Sequence, residues 1–159
     1  EIFRESVEQK MLTGRSALVF SASCLFAACR ESGQSKTIKD FMKHCNCKRT
    51  QFNSYFRFIQ KTFDIHTENM SPIKFMSRIA SRTEPPINVI IENLASAVIN
   101  ELDEKDGKDP IGLAAAALSY ICKLKNKKHT LRSIALAADV NEVTVRNRIK
   151  DIEKFYNKK

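Results

Sequence analysis

Turn formers are scarce. Four glycines and four prolines in 159 residues leave little turn chemistry, and the runs between them are too long for strands, so the chain reads as all-helical. Long apolar runs are missing too. Nothing approaches the ~20 uninterrupted apolar residues that a bilayer requires, so no membrane span is expected, and the most apolar segment, residues 111–122, reads as a buried helix. There is no glycine-rich phosphate loop. His44, His66 and His129 have no Cys, Ser or carboxylate at catalytic spacing, so an enzyme is not expected and the three read as surface or capping residues. Five cysteines, Cys24, Cys29, Cys45, Cys47 and Cys122, form neither a paired framework nor a zinc spacing, and no metal or other cofactor is expected in this stretch. Cys29 and Cys122 read as small core residues in apolar helices. An odd number of free thiols fits a reducing compartment such as nucleus or cytosol.

What is present is a duplication. Residues 14–61 lie over residues 107–154 without a gap at a constant offset of 93. Gly14/Gly107, Ala22/Ala115, Leu25/Leu118, Cys29/Cys122, Thr37/Thr130, Ile59/Ile152 and Lys61/Lys154 are identical, and side-chain class agrees between them, as in Phe20/Leu113, Phe41/Ile134 and Phe56/Ile149. A repeat this long is a whole bundle, so two similar lobes with a groove between them are expected, over residues 1–83 and 84–159. The first residue is Glu1, and the offset maps it onto Leu94, inside a predicted helix. The first lobe is thus expected to begin mid-helix, in a fragment of a longer protein, and the second to lack its last helix or only begin it at residues 156–159.

Breakers and periodicity place the helices. One is predicted from the chain start to about residue 12, and one over 16–31 with Phe20, Cys24, Ala27 and Ala28 on one face. Thr37 opens a short third to about residue 45, and a fourth over 48–63 buries Phe52, Phe56, Ile59 and Phe63. Ser71-Pro72 starts a fifth to about residue 81. Pro85-Pro86 reads as the join between lobes. Beyond it come a helix over 86–102 with Val89, Ile90, Ala97 and Val98 inward, a turn over 103–107, a helix over 110–125, and helices over 130–138 and 141–154.

Charge is one-sided. The net charge is +9, and residues 110–159 hold eleven Lys/Arg against Asp139, Glu142, Asp151 and Glu153, a pattern suited to an anionic partner such as a phosphate backbone. Within that stretch residues 130–150 read as a helix-turn-helix. Ile134, Ala135 and Ala138 lie on its first helix, Val140 closes the turn, and Val145 and Ile149 face inward from the second. The outward positions are then Val143, Thr144, Arg146, Asn147 and Lys150, side chains suited to base edges and phosphates. Lys125, Lys127, Lys128, Thr130 and Arg132 are candidate phosphate contacts around the start of the motif. The first-lobe counterpart, residues 48–57, carries Phe52, Tyr55 and Phe56 and one basic pair, Lys48-Arg49, and suits a protein contact better.

Gly14-Arg15-Ser16, Ser23-Cys24-Leu25 with Ala27-Ala28-Cys29-Arg30, Phe75-Met76-Ser77-Arg78, Ala114-Ala115-Ala116-Ala117 and Val143-Thr144-Val145-Arg146 together resemble the core of the transcription factor IIB family over almost the whole chain. The resemblance implies two tandem cyclin-like repeats, the second containing the helix-turn-helix, in a monomer of the nucleus that binds the TATA-binding protein on promoter DNA and recruits RNA polymerase II. It implies that Val143, Arg146 and Lys150 read an element upstream of the TATA box in the major groove. Gly14 and Arg15 match a loop that reaches the minor groove downstream of it, and Arg30, Lys48 and Arg49 match basic residues near an acidic loop of the TATA-binding protein. The family's zinc-bearing N-terminal ribbon has no counterpart in this stretch. Two other readings stay open: the related factor of RNA polymerase III, and a cyclin-type kinase regulator, which would leave the basic helix-turn-helix unexplained.

Overall fold

Caps and left-handed residues cut the chain into its elements. Asn88, Asp109, Thr130 and Asn141 each precede a helix and accept a hydrogen bond from one of its first backbone N–H groups, those of Ile91, Gly112, Ser133 and Val143, at 2.9–3.1 Å. At the other end, Gly33 (φ +70°) stops one helix and Asn126 (φ +51°) stops its repeat equivalent. In both places the next N–H closes back onto the helix, Gln34 onto the Cys29 carbonyl and Lys127 onto the Cys122 carbonyl, each at 2.9 Å.

The structure is a computed structural model that describes residues 1–65, 70–102 and 109–157. Among these residues the chain is helical without strands: α1 (Ile2–Glu8), α2 (Ala17–Glu31), α3 (Ile38–Met42), α4 (Arg49–Thr62), α5 (Ile73–Ser81), α6 (Val89–Glu101), α7 (Pro110–Leu124), α8 (Leu131–Ala138) and α9 (Glu142–Tyr156). The offset of 93 carries α2 onto α7 residue for residue, the starts of α3 and α4 onto the starts of α8 and α9, and the end of α1 onto the end of α6. The duplication read from sequence is therefore a duplication of structure. The predicted turn at residues 103–107 and the side chain of His66 lie outside the described residues.

The chain divides into two units, Glu1–Asn69 and Met70–Lys159. This moves the boundary expected at 83/84, because α5 packs on α6, α7 and α8. Pro85-Pro86 interrupts a connection inside the second unit. That connection is held by the buried Thr83, whose hydroxyl donates to the Ala80 carbonyl at 2.8 Å and accepts from the Ile87 N–H at 3.1 Å. Among the described residues the second unit thus contains five helices, α5 to α9; α9 runs to Tyr156, and the rest of residues 156–159, where a last helix was expected to be missing or only begun, lies largely outside the described residues.

In the first unit α2 packs against α1, α3 and α4. Its core is aromatic: eight of the ten phenylalanines precede residue 70, and Phe26 meets Phe41, Phe52 and Phe56 edge-on at centroid distances of 5.5, 5.8 and 4.9 Å. In the second unit α7 is central, touching α5, α6, α8 and α9. The run Ala114, Ala115, Ala116 and Ala117 is wholly buried, which lets those helices approach closely.

The offset of 93 maps α5 and the first half of α6 to positions ahead of Glu1, outside this sequence. Exposure differs between equivalent positions of the described residues. Leu118 is 0% exposed and Leu25 58%; Cys122 is buried whereas Cys29 is half-buried and bonds Gln34 Oε1 at 3.7 Å, so Cys29 is not the core residue expected. Of the inward face expected on helix α6 only Val98 is buried. Ile91, Ala95, Val98 and Ile99 are buried, whereas Val89 and Ile90 are 64% and 65% exposed and Ala97 is exposed.

Candidate nucleic-acid interface

The second unit builds the motif from short-range rules. Thr130 caps α8, whose eight residues bury Ile134, Ala135, Ala137 and Ala138. Asp139 takes the left-handed conformation (φ +56°, ψ 41°), and the Val140 N–H bonds back to the Ala135 carbonyl at 3.0 Å, which ends the helix. Asn141 then caps α9, so a three-residue turn separates two helices held together by Ile134, Ala135 and Val145. This is the helix-turn-helix expected from residues 130–150, with Val140 and Ile149 packed at the edge of the core.

On α9 the residues at spacings of three, four and seven from Val143 share one face. Val143, Arg146, Asn147 and Lys150 are all exposed. Arg148, next to this face, donates to the Asp151 carboxylate at 2.6 Å and is thereby committed. Lys123 likewise bonds Glu153 at 3.1 Å, which turns two of the acids of α9 away from the exposed face. Thr144 departs from expectation. It is half-buried, and a Cβ added to Gly112 would sit 3.1 Å from its Cγ2, so its methyl group is spent against α7 rather than facing out.

Around the start of α8, Lys128, Thr130 and Arg132 are exposed. The Thr130 oxygen accepts from Ser133 N–H at 3.1 Å, which leaves its own proton free to donate. The first N–H groups of a helix lack intrahelical acceptors and carry the positive end of the dipole, an arrangement that favours an anion. Lys125 and Lys127 are exposed too, but they line a cleft of about 310 Å³ together with Asn88, Ile90, Ile91 and Leu94. Burial pushes the Cys122 thiol above its ordinary value, partly offset by the Lys127 ammonium. His129 is half-buried, with Nδ1 enclosed and unbonded, so it is not the surface or capping residue expected; His44 is exposed.

The first unit treats its candidates unequally. Gly14 is exposed at φ +72° with open space where a side chain would lie. Arg15 is half-buried, its guanidinium 4.3 Å from the Phe58 ring centroid and bonded to the Met11 carbonyl. Arg30 is half-buried as well, 5.1 Å from the Phe26 ring centroid, and burial pulls its guanidinium below the ordinary value. Lys48 and Arg49 are exposed at the N-cap and first position of α4, a helix with no acid in its first turn. Two cations at the positive end of a dipole are locally unfavourable, and an acidic partner would relieve that repulsion.

Sequence reading missed the exposed apolar residues Val89, Ile90 and Leu136, the last 81% exposed. Among the described residues no group of three or more His, Cys, Asp or Glu is arranged to hold a metal, and no helix is long and apolar enough to cross a membrane.

The profile of the transcription factor TFIIB repeat matches this chain twice, over residues 1–62 and 65–155. The second match takes in α5, in agreement with the unit boundary. A protein named transcription initiation factor IIB from Caldivirga maquilingensis is 32% identical over 159 residues, covering 98% of this chain and 47% of the relative. Its namesake from Pyrobaculum islandicum is 32% identical with 99% and 47% covered, and that from Methanothermococcus thermolithotrophicus 32% identical with 95% and 45% covered. The chain thus spans about half the length of the curated relatives it matches. Two cyclin-like all-α repeats in tandem, the double profile match and these relatives together establish that the chain belongs to the transcription factor TFIIB repeat family.

Proposed function

We propose that this chain is the core of a general transcription initiation factor, a non-enzymatic protein that joins the TATA-binding protein on promoter DNA and bridges to RNA polymerase II. The single observation carrying this reading is the exposed face of α9, where Val143, Arg146, Asn147 and Lys150 are presented by the second helix of a helix-turn-helix. Such a helix fits the major groove, where arginine bonds guanine O6 and N7 and a valine packs on a thymine methyl group. Lys128, Thr130 and Arg132 are assigned to phosphates, fixing the register from which α9 reads. Lys48 and Arg49, with Arg30, are assigned to an acidic surface of the TATA-binding protein, and Gly14 and Arg15 to the minor groove; Arg15 would leave Phe58 to reach it. The protein's place is at the chromosome. A nucleus follows only for a cell that has one, since the relatives named above are archaeal.

The test is a gel-shift with the TATA-binding protein and a TATA-containing duplex. The chain is expected to supershift that complex. Replacing Arg146 by Ala is expected to weaken assembly on the preferred promoter by ~1–3 kcal/mol and relax one base position. An equal loss on every sequence would reduce Arg146 to a phosphate contact, and no supershift would remove the reading.

A further inference from the structure

Helix α6 has two apolar stripes. Ile91, Ala95, Val98 and Ile99 bury one in the second unit. The other, Ile90, Leu94 and Ala97 at spacings of four and three, runs along the same helix with Ile90 65% exposed, Ala97 exposed and Leu94 partly buried. Three or four residues of separation put side chains in line on one face, so Ile90 and Ala97 flank Leu94, which itself packs partly against the core. The N-terminal end of this stripe lines, with Asn88, the cleft bounded by Lys125 and Lys127 at the end of α7. Those two positions are Ser32 and Gln34 in the first unit, so the basic rim is particular to the second.

Among the described residues no acid lines this cleft. Glu92 accepts the Ser77 hydroxyl proton at 2.6 Å, and Glu101, at the far end of α6, accepts from Tyr156 at 3.3 Å. With α6 thirteen residues long, Glu101 is roughly 17 Å along the axis from Ile90, beyond a Debye length in physiological salt. Phosphate would satisfy the lysines and leave the apolar stripe in water. An apolar ridge flanked by carboxylates satisfies both, since a helix set along α6 buries the stripe and places its acids against the ammonium groups.

We propose that the Ile90–Leu94–Ala97 stripe, with Lys125 and Lys127 at its end, is the docking surface for an amphipathic helix of a partner protein whose apolar face is bordered by acidic residues. The probe is a fluorescein-labelled designed helix with leucines at every third and fourth position bordered by glutamates, beside a control with lysines for the glutamates. Polarisation is expected to show saturable binding of the acidic probe only. Ile90→Ser, at an exposed position, is expected to weaken it about tenfold, as loss of an apolar anchor does. Lys125→Glu with Lys127→Glu is expected to transfer preference to the basic control. Circular dichroism verifies that both variants keep the fold. Binding indifferent to Ile90→Ser, equal binding of both probes, or no binding of the acidic probe overturns the proposal. Promoter assembly provides the separate arm: Ile90→Ser is expected to leave the supershift intact, whereas loss of the supershift assigns this face to the promoter complex and overturns the proposal without touching the role of α9.

Discussion

Lys48 is a poor N-cap in a place where serine or asparagine would stabilise the helix. It offers no side-chain acceptor to α4, and it sets a positive charge beside Arg49 at the positive end of the dipole. Lys48→Ser is therefore expected to raise stability by about 1 kcal/mol, measured as a higher urea midpoint, while weakening assembly with the TATA-binding protein. A rise in both would separate Lys48 from that contact. The five cysteines differ in the same residue-level way. Burial pushes Cys24 up to about 11 and raises Cys45 and Cys122, and all three are buried, whereas Cys29 and Cys47 are half-buried. Ellman's reagent at pH 8 is expected to titrate those two quickly and the other three only on unfolding, because it needs an accessible thiolate. Fast reaction of Cys24 would show that the α1–α2 contact opens readily. The cysteine pair Cys29/Cys122 was legible as a repeat position but not as two different environments, since sequence does not say which neighbours are present.

At the scale of elements, the helix-turn-helix was legible almost entirely. Its extent, the turn closed by Val140 and the spacing of Ile134, Ala135, Val145 and Ile149 are local properties, and local properties survive whatever the rest of the chain does; the left-handed Asp139 and the Asn141 cap came only with the structure. Thr144 was misplaced because the close approach of α9 to Gly112 is a contact between elements far apart in sequence. The inward face of α6 was misread for a related reason. Apolar residues occupy two of its faces, so periodicity fits either, and only the packing of α5 and α7 selects the face holding Ile91, Ala95, Val98 and Ile99. The duplicated central helices give an internal control for this kind of context. Leu118→Lys places a charge at a fully buried position and is expected to cost more than about 4 kcal/mol. Leu25→Lys, at the equivalent but exposed position, is expected to stay within about 0.5 kcal/mol. Thermal unfolding by circular dichroism measures both, and equal losses would mean that Leu25 is covered in solution.

Across the whole molecule, a net charge of +9 favours a polyanionic partner, and in the proposed promoter complex the positions of the cations decide how much of that attraction is used. If Arg132 holds one phosphate, Arg132→Ala should lower affinity alike on all sequences and reduce the slope of log affinity against log salt by about one; an unchanged slope would exclude it from the phosphate contacts. Residue order alone was enough to establish that the chain is helical, that it is duplicated at an offset of 93, and where α2 and α7, or α4 and α9, begin. Those follow from caps, breakers and periodicity, which act over a few residues. Packing in three dimensions had to supply the rest: that α5 belongs with the second unit, that Leu25 and Leu118 have opposite surroundings, and that the exposed stripe of α6 meets Lys125 and Lys127. Each of these depends on which apolar faces find one another, and burial is a property of the neighbour as much as of the residue.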